Sequence, residues 1–145
     1  MSTVEFICSL NHSTSELPLF LDRVPAGFAS PAQDYLEARL SLDELLDINA
    51  PQTFIARALG DSMAGAGIFD GDLLVVNKAK DAKHGHIVVA CINGEHFVKR
   101  LEKEGDTWVL RAESPKYPPR YIMEADELRI WGVVSSSIRR HLCNV

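Results

Sequence analysis

The sequence predicts a mainly β domain, entered through one or two short helices and preceded by an extended N-terminal arm. Three observations carry this. From Thr53 onward, apolar and β-branched runs of strand length alternate with Gly, Asn and Asp turns. Asn93-Gly94 joins two of those runs with the dipeptide preferred in two-residue hairpins. The capping boxes at Ser30 and Ser41, by contrast, mark one or two short helices ahead of those runs.

Residues 1–29 contain Ser, Thr, Asn, His and two prolines and keep neither a period of 2 nor of 3.6, so they read as an arm with little structure of its own. Pro25-Ala26-Gly27-Phe28 is extended or turned, because a residue before proline avoids the helical region and glycine is permissive. Ser30, Pro31 and Gln33 form a capping box with proline at the first helical position, predicting a helix to about Leu40 with Leu36 and Leu40 on one face. Ser41-Leu42-Asp43-Glu44 repeats the box and starts a second short turn. The predicted strands are Thr53–Ala58, Leu73–Asn77, Ile87–Ile92, Glu95–Leu101, Trp108–Arg111 and Leu128–Val134, with a further turn at Gly105-Asp106.

The chain has 145 residues, enough for one domain with a real core. No apolar run approaches the ~20 residues that span a bilayer, and no basic-then-apolar leader opens the chain, so the expectation is a cytoplasmic protein away from membranes. Cys8, Cys91 and Cys143 are distant and odd in number, which argues against a disulfide framework or a cysteine zinc site. Cys91, within Val88-Val89-Ala90-Cys91-Ile92, reads as a small buried hydrophobe. The net charge of −5 is concentrated in residues 1–50, which hold eight acidic residues and two arginines. Such a balance lacks the basic footprint of a nucleic-acid binder, so no direct DNA binding is expected.

Two segments hold residues suited to chemistry: Gly60-Asp61-Ser62-Met63, followed by Gly65 and Gly67, and His96-Phe97-Val98-Lys99-Arg100-Leu101. A serine hydroxyl needs a base to become a nucleophile. Glycines beside it let the chain turn sharply and present N–H groups to an oxyanion. A lysine serves as base only when neutral, which requires burial away from carboxylates. Strand alternation puts Phe97, Lys99 and Leu101 on one face, so a core-facing Phe97 and Leu101 carry Lys99 inward. An edge strand would leave Lys99 solvated, and periodicity by itself does not choose between the two.

These segments, with Gly71-Asp72-Leu73-Leu74 and Gly85-His86-Ile87-Val88, occur in the order and with the 37-residue Ser62-to-Lys99 spacing that resembles the LexA/UmuD family of self-cleaving serine–lysine proteases, peptidase S24. Upstream, Pro18-Leu19-Phe20 and Ala26-Gly27-Phe28-Ala29-Ser30-Pro31-Ala32 resemble the cleavage region of the UmuD branch, although Ala26 stands where UmuD has cysteine. With 26 residues ahead of the resembling cleavage region, too few for the helix-turn-helix domain of LexA, the expected branch is the UmuD one, whose members are accessory subunits of error-prone translesion polymerases. The resemblance implies a LexA C-terminal-domain-like, signal-peptidase-like β-barrel over residues 27–145, with residues 1–26 a flexible arm removed by self-cleavage between Ala26 and Gly27. It implies Ser62 as nucleophile, Lys99 as general base, and the Asp61 and Ser62 N–H groups as the oxyanion site. It further implies an SOS-response role as a homodimer, with a RecA–single-stranded-DNA filament as coprotease and a Y-family, UmuC-like polymerase subunit as partner. No cofactor or metal is implied.

Other constellations read more plainly. His84-Gly85-His86 lies at a turn and lacks acidic or cysteine ligands at metal-site spacing. His96 falls on the strand face opposite Lys99, so no Ser-His-Asp triad is expected. Asp70 and Asp72 flank Gly71 as turn residues. Leu17-Pro18-Leu19-Phe20 resembles peptides that dock on the polymerase sliding clamp, or simply packs the arm on the body. The alternatives to self-cleavage are a non-catalytic dimeric polymerase-regulating module and a transcriptional corepressor.

Overall fold

The computed structural model describes residues 3–9, 16–20, 36–48 and 52–142. The strands are β1 (Thr3–Ser9), β2 (Glu16–Phe20), β3 (Leu36–Ser41), β4 (Thr53–Leu59), β5 (Leu73–Asn77), β6 (Ile87–Ile92), β7 (Glu95–Glu104), β8 (Thr107–Arg111), β9 (Arg120–Tyr121) and β10 (Leu128–Ile138), and α1 is Leu42–Leu45. Eight strands form one antiparallel sheet in the order β1-β4-β5-β10-β6-β7-β8-β9, while β2 and β3 pair separately. The mainly β expectation holds. Among the described residues, no helix is long and apolar enough to cross a membrane.

The sheet curls around two apolar clusters. One gathers Ala56, Met63, Leu74, Val76, Val89 and Val98; the other gathers Val88, Ala90, Phe97, Leu101, Leu110 and Val133. Adjacent residues of β6 and β7 thus enter different clusters, so both faces of these strands are covered. That is why Ile87–Ile92 is a near-continuous apolar run rather than an alternating one. The curl of β10 is accommodated by irregularities at Ile130/Gly132 and Val134/Ser136. Gly132 is required by close approach: a Cβ there would sit 2.7 Å from Val76 Cγ1 and 2.9 Å from the Asn77 carbonyl oxygen.

The six predicted strands occur, most of them longer than predicted; β7 runs on to Glu104 and β10 to Ile138. The turn at Ser41 also occurs, with its hydroxyl accepting the Asp43 N–H at 3.2 Å as the cap of α1. The helix predicted up to Leu40 does not: Leu36–Ser41 is β3, paired antiparallel with β2. Leucines four apart in sequence do not by themselves choose a helix over a strand, and here pairing with β2 makes the segment a strand. The capping residues 30–33 lie outside the described residues. The arm also has more structure than its composition predicts. Thr3–Ser9 takes its order from the β4 edge, which supplies the hydrogen-bond partners no local periodicity announces. Val4 packs on the first cluster, and Phe6 meets Phe54, His96 and Trp131 at ring-centroid distances of 5.1–5.3 Å. Leu17, Pro18, Leu19 and Phe20 form the body of β2.

Candidate active site

Ser62 sits on the turn that follows β4. Gly60 and Gly67, at φ +90° and +80°, take left-handed conformations that let the chain leave the strand and fold back. Two apolar residues nail the turn to the first cluster, Met63 fully buried and Ile68 nearly so. Polar ties complete it. The Asp70 carboxylate accepts the Gly60 N–H at 2.8 Å, and the Ala58 and Gly71 amides close the base of the loop on the Asp72 and Ala58 carbonyls. Asp72, 3% exposed, accepts the Phe69 N–H and is held bidentately by Arg139, with both contacts at 2.9 Å. The Arg139 guanidinium holds the Asp72 carboxyl below the usual carboxylate range. Asp70 and Asp72 therefore do turn and anchoring work, as their flanking of Gly71 suggested.

Lys99 comes from the middle of β7, between β6 and β8, so it is not on an edge. Its neighbours on the same face, Phe97 and Leu101, lie in the second cluster, and Lys99 itself is 7% exposed. Lys99 Nζ and Ser62 Oγ are 2.8 Å apart, with Ser62 wholly buried. Among the described residues no carboxylate pairs with Lys99, and burial pushes its amine below the ordinary lysine value. The solvated alternative for Lys99 is thereby excluded. A cavity of about 320 Å³ opens beside it, lined by Ile92, Phe97 and Leu110 with Glu95 and Arg120 among its polar groups.

Asp61 and Ser62 occupy consecutive positions of this turn, and the Asp61 carbonyl accepts the Ala64 N–H at 3.2 Å. The Asp61 side chain points to a segment that sequence reasoning missed. Its carboxylate accepts the Tyr117 hydroxyl at 2.5 Å and lies 3.4 Å from Lys116 Nζ. The Tyr117 hydrogen bond, followed by Lys116, lowers the Asp61 pKa. The Tyr117 ring centroid is 5.6 Å from Lys99 Nζ. Glu113 secures the same segment: its carbonyl accepts the Gly65 N–H at 2.8 Å, and its carboxylate pairs with Arg100. Gly65 is needed there, since a Cβ would lie 2.6 Å from the Glu113 carbonyl oxygen. Only the prolines around Tyr117 mark this segment in the sequence as a fixed loop.

A serine hydroxyl against a buried amine is an arrangement for nucleophilic attack, with the lysine able to accept and return a proton. A model of the peptidase S24-like family matches residues 18–135. The chain belongs to the peptidase S24-like family. Among the proteins it resembles, protein SamA of Salmonella typhimurium is 44% identical over 126 residues, covering 87% of each chain. Protein MucA of Escherichia coli is 41% identical, covering 86% of each chain. The LexA repressor of Bordetella avium is 37% identical, covering 86% of this chain and 58% of the repressor.

The remaining predicted residues fall as follows. Ala26 and Gly27 lie outside the described residues. His84 and His86 use their Nδ1 atoms as acceptors for the Lys103 and Lys83 N–H groups, in keeping with a turn. His96 packs away from Ser62, between Phe6 and Trp131, with its Nε2 atom buried and unpartnered among the described residues. Cys91 is half-buried rather than fully buried. Among the described residues no three His, Cys, Asp or Glu side chains gather as a metal site.

Proposed function

We propose that this S24 protein is a serine endopeptidase that cuts its own chain between Ala26 and Gly27, using Ser62 as nucleophile and Lys99 as general base. The observation that carries the reading is the 2.8 Å approach of Ser62 Oγ to a buried Lys99 Nζ that forms no ion pair with a carboxylate among the described residues. In the neutral state the lysine amine accepts the Ser62 proton as Oγ attacks the Ala26 carbonyl carbon. The resulting ammonium gives that proton to the Gly27 nitrogen as the peptide bond breaks, leaving residues 1–26 esterified to Ser62. Water then attacks the ester with Lys99 again taking a proton, releasing residues 1–26 and restoring the dyad in residues 27–145. Negative charge on the carbonyl oxygen is met by the Asp61 and Ser62 N–H groups of the turn.

The family resemblance supports the biological setting: an SOS-response protein whose shortened form assists an error-prone polymerase in translesion synthesis. A RecA–single-stranded-DNA filament then acts by favouring the docked arm rather than by supplying catalytic groups. The same resemblance supports a homodimer in the cytoplasm, a UmuC-like polymerase partner, and clamp docking through Leu17–Phe20. Intact-mass analysis of purified protein held at alkaline pH, with and without activated filament, tests the reading. Fragments 1–26 and 27–145 are expected from the wild type and neither from Ser62→Ala. Continued cutting of the Ser62→Ala chain would reject Ser62 as nucleophile and leave a non-catalytic module processed by another protease.

A further inference from the structure

Tyr117 lies 55 residues beyond the nucleophile, yet it touches both halves of the candidate dyad's surroundings. Its hydroxyl donates to Asp61, the residue immediately before Ser62, at 2.5 Å, and its half-buried ring lies over Lys99 Nζ at 5.6 Å. The segment that carries it is held independently by the Gly65–Glu113 backbone bond and the Arg100–Glu113 ion pair, so the tyrosine is delivered to this place by a rigid support. We infer that Tyr117 is a positioning residue: its hydroxyl holds the nucleophile turn through Asp61, and its ring screens the Lys99 amine from water. The inference rests on the proposed Ser62–Lys99 chemistry and names a residue that chemistry depends on.

The two contacts do separable work. A hydroxyl bonded to a carboxylate is a charge-assisted hydrogen bond, directional enough to fix the Asp61 side chain and with it the peptide leading into Ser62. The ring acts on Lys99 in two opposing ways. An aromatic face favours an ammonium beside it, whereas exclusion of water favours the neutral amine. With Lys99 only 7% exposed and burial the cause of its lowered basicity, the screening prevails. Among the described residues, Glu95 of β7 and Arg120 of β9 line the cavity beside Lys99, and Lys116 pairs with Asp61; Arg120 itself pairs with Asp126 at 2.9 Å.

Two substitutions separate the roles. Tyr117→Phe keeps the ring and removes the hydroxyl; the first-order rate of self-cleavage should fall about three- to tenfold at every pH with the midpoint of its pH profile unchanged. Tyr117→Ala removes both; its profile should also move to higher pH by about one unit, so that cleavage near neutrality falls a further tenfold or so. Lys99 is then titrated directly by NMR of its ε-carbon in the uncleavable Ser62→Ala protein, its signal assigned by loss in Lys99→Arg. Adding Tyr117→Ala should raise the Lys99 midpoint, and adding Tyr117→Phe should not. Unchanged Lys99 midpoints and wild-type cleavage profiles in both variants would overturn the role of Tyr117 while leaving the dyad standing. Cleavage by Ser62→Ala, read in the same series, would instead overturn the dyad.

Discussion

The proposed self-cleavage requires a neutral Lys99, and Lys99→Arg together with the wild-type pH profile tests that requirement. An ordinary lysine, with a pKa of about 10.4, is neutral in about one molecule per thousand near pH 7.4. Burial lowers the Lys99 value, and each unit of lowering raises the neutral fraction about tenfold. The first-order appearance of residues 27–145 should therefore rise about tenfold per pH unit below the Lys99 midpoint and level off above it. Arginine stays protonated throughout that range, so Lys99→Arg should lose at least about a hundredfold in rate. Stability moves the other way. Because the folded-state pKa is lowered, the unfolded chain binds more protons between the folded value and the unfolded one. Lys99 therefore costs stability at neutral pH, and that cost fades as pH rises toward the unfolded value. Lys99→Met should accordingly stabilise the fold by about 1 kcal/mol, raising Tm by about 2–4 °C, while abolishing cleavage. The assay is intact-mass quantification over about pH 6 to 11, with Tm measured by calorimetry. A flat rate profile, or an Lys99→Arg protein that cleaves like the wild type, would show that Lys99 is not the base.

Arg139→Ala should destabilise the fold by about 2 kcal/mol, less than for a fully buried pair because the Arg139 side chain is 41% exposed. Since pairing lowers the Asp72 pKa, the stability it confers is present above the unfolded carboxylate value and lost as pH falls through the folded one; the variant's acid-unfolding midpoint should move up, and an unchanged acid transition would contradict this. Gly65→Ala should separate the Glu113 carbonyl from the nucleophile turn, costing about 1–3 kcal/mol and most of the cleavage rate; a wild-type denaturation curve would show that the turn yields freely. Ala26→Trp should block self-cleavage without changing Tm, since the residue before the cut must enter the site beside Ser62; mass spectrometry revealing efficient cutting at residue 26 would defeat that expectation. Sedimentation equilibrium should find a dimer at micromolar concentration, weakened by Ile130→Glu on the exposed stretch of β10, and a wild-type monomer would reject the assembly.

Short-range regularities announced the strands and the composition of the site. The apolar runs separated by glycine turns, the Asn93-Gly94 hairpin and the cap at Ser41 are local events, decided by neighbours within a few residues, and they appear in the structure where the residues place them. Ser62 among its glycines and Lys99 between Phe97 and Leu101 were legible in the same way. Tertiary structure decided everything that depends on residues far apart in the chain. Leucines at 36 and 40 fit either period, and pairing with β2 made the segment a strand. Thr3–Ser9 has no pattern of its own and is ordered by the open edge of β4. Alternation put Lys99 on the side of Phe97, but only the position of β7 between two other strands buried it. The bond from Tyr117 to Asp61 spans 56 residues and leaves no periodic trace. Periodicity records which way a side chain points, whereas burial, and with it the basicity of Lys99, depends on what the rest of the chain brings to that face.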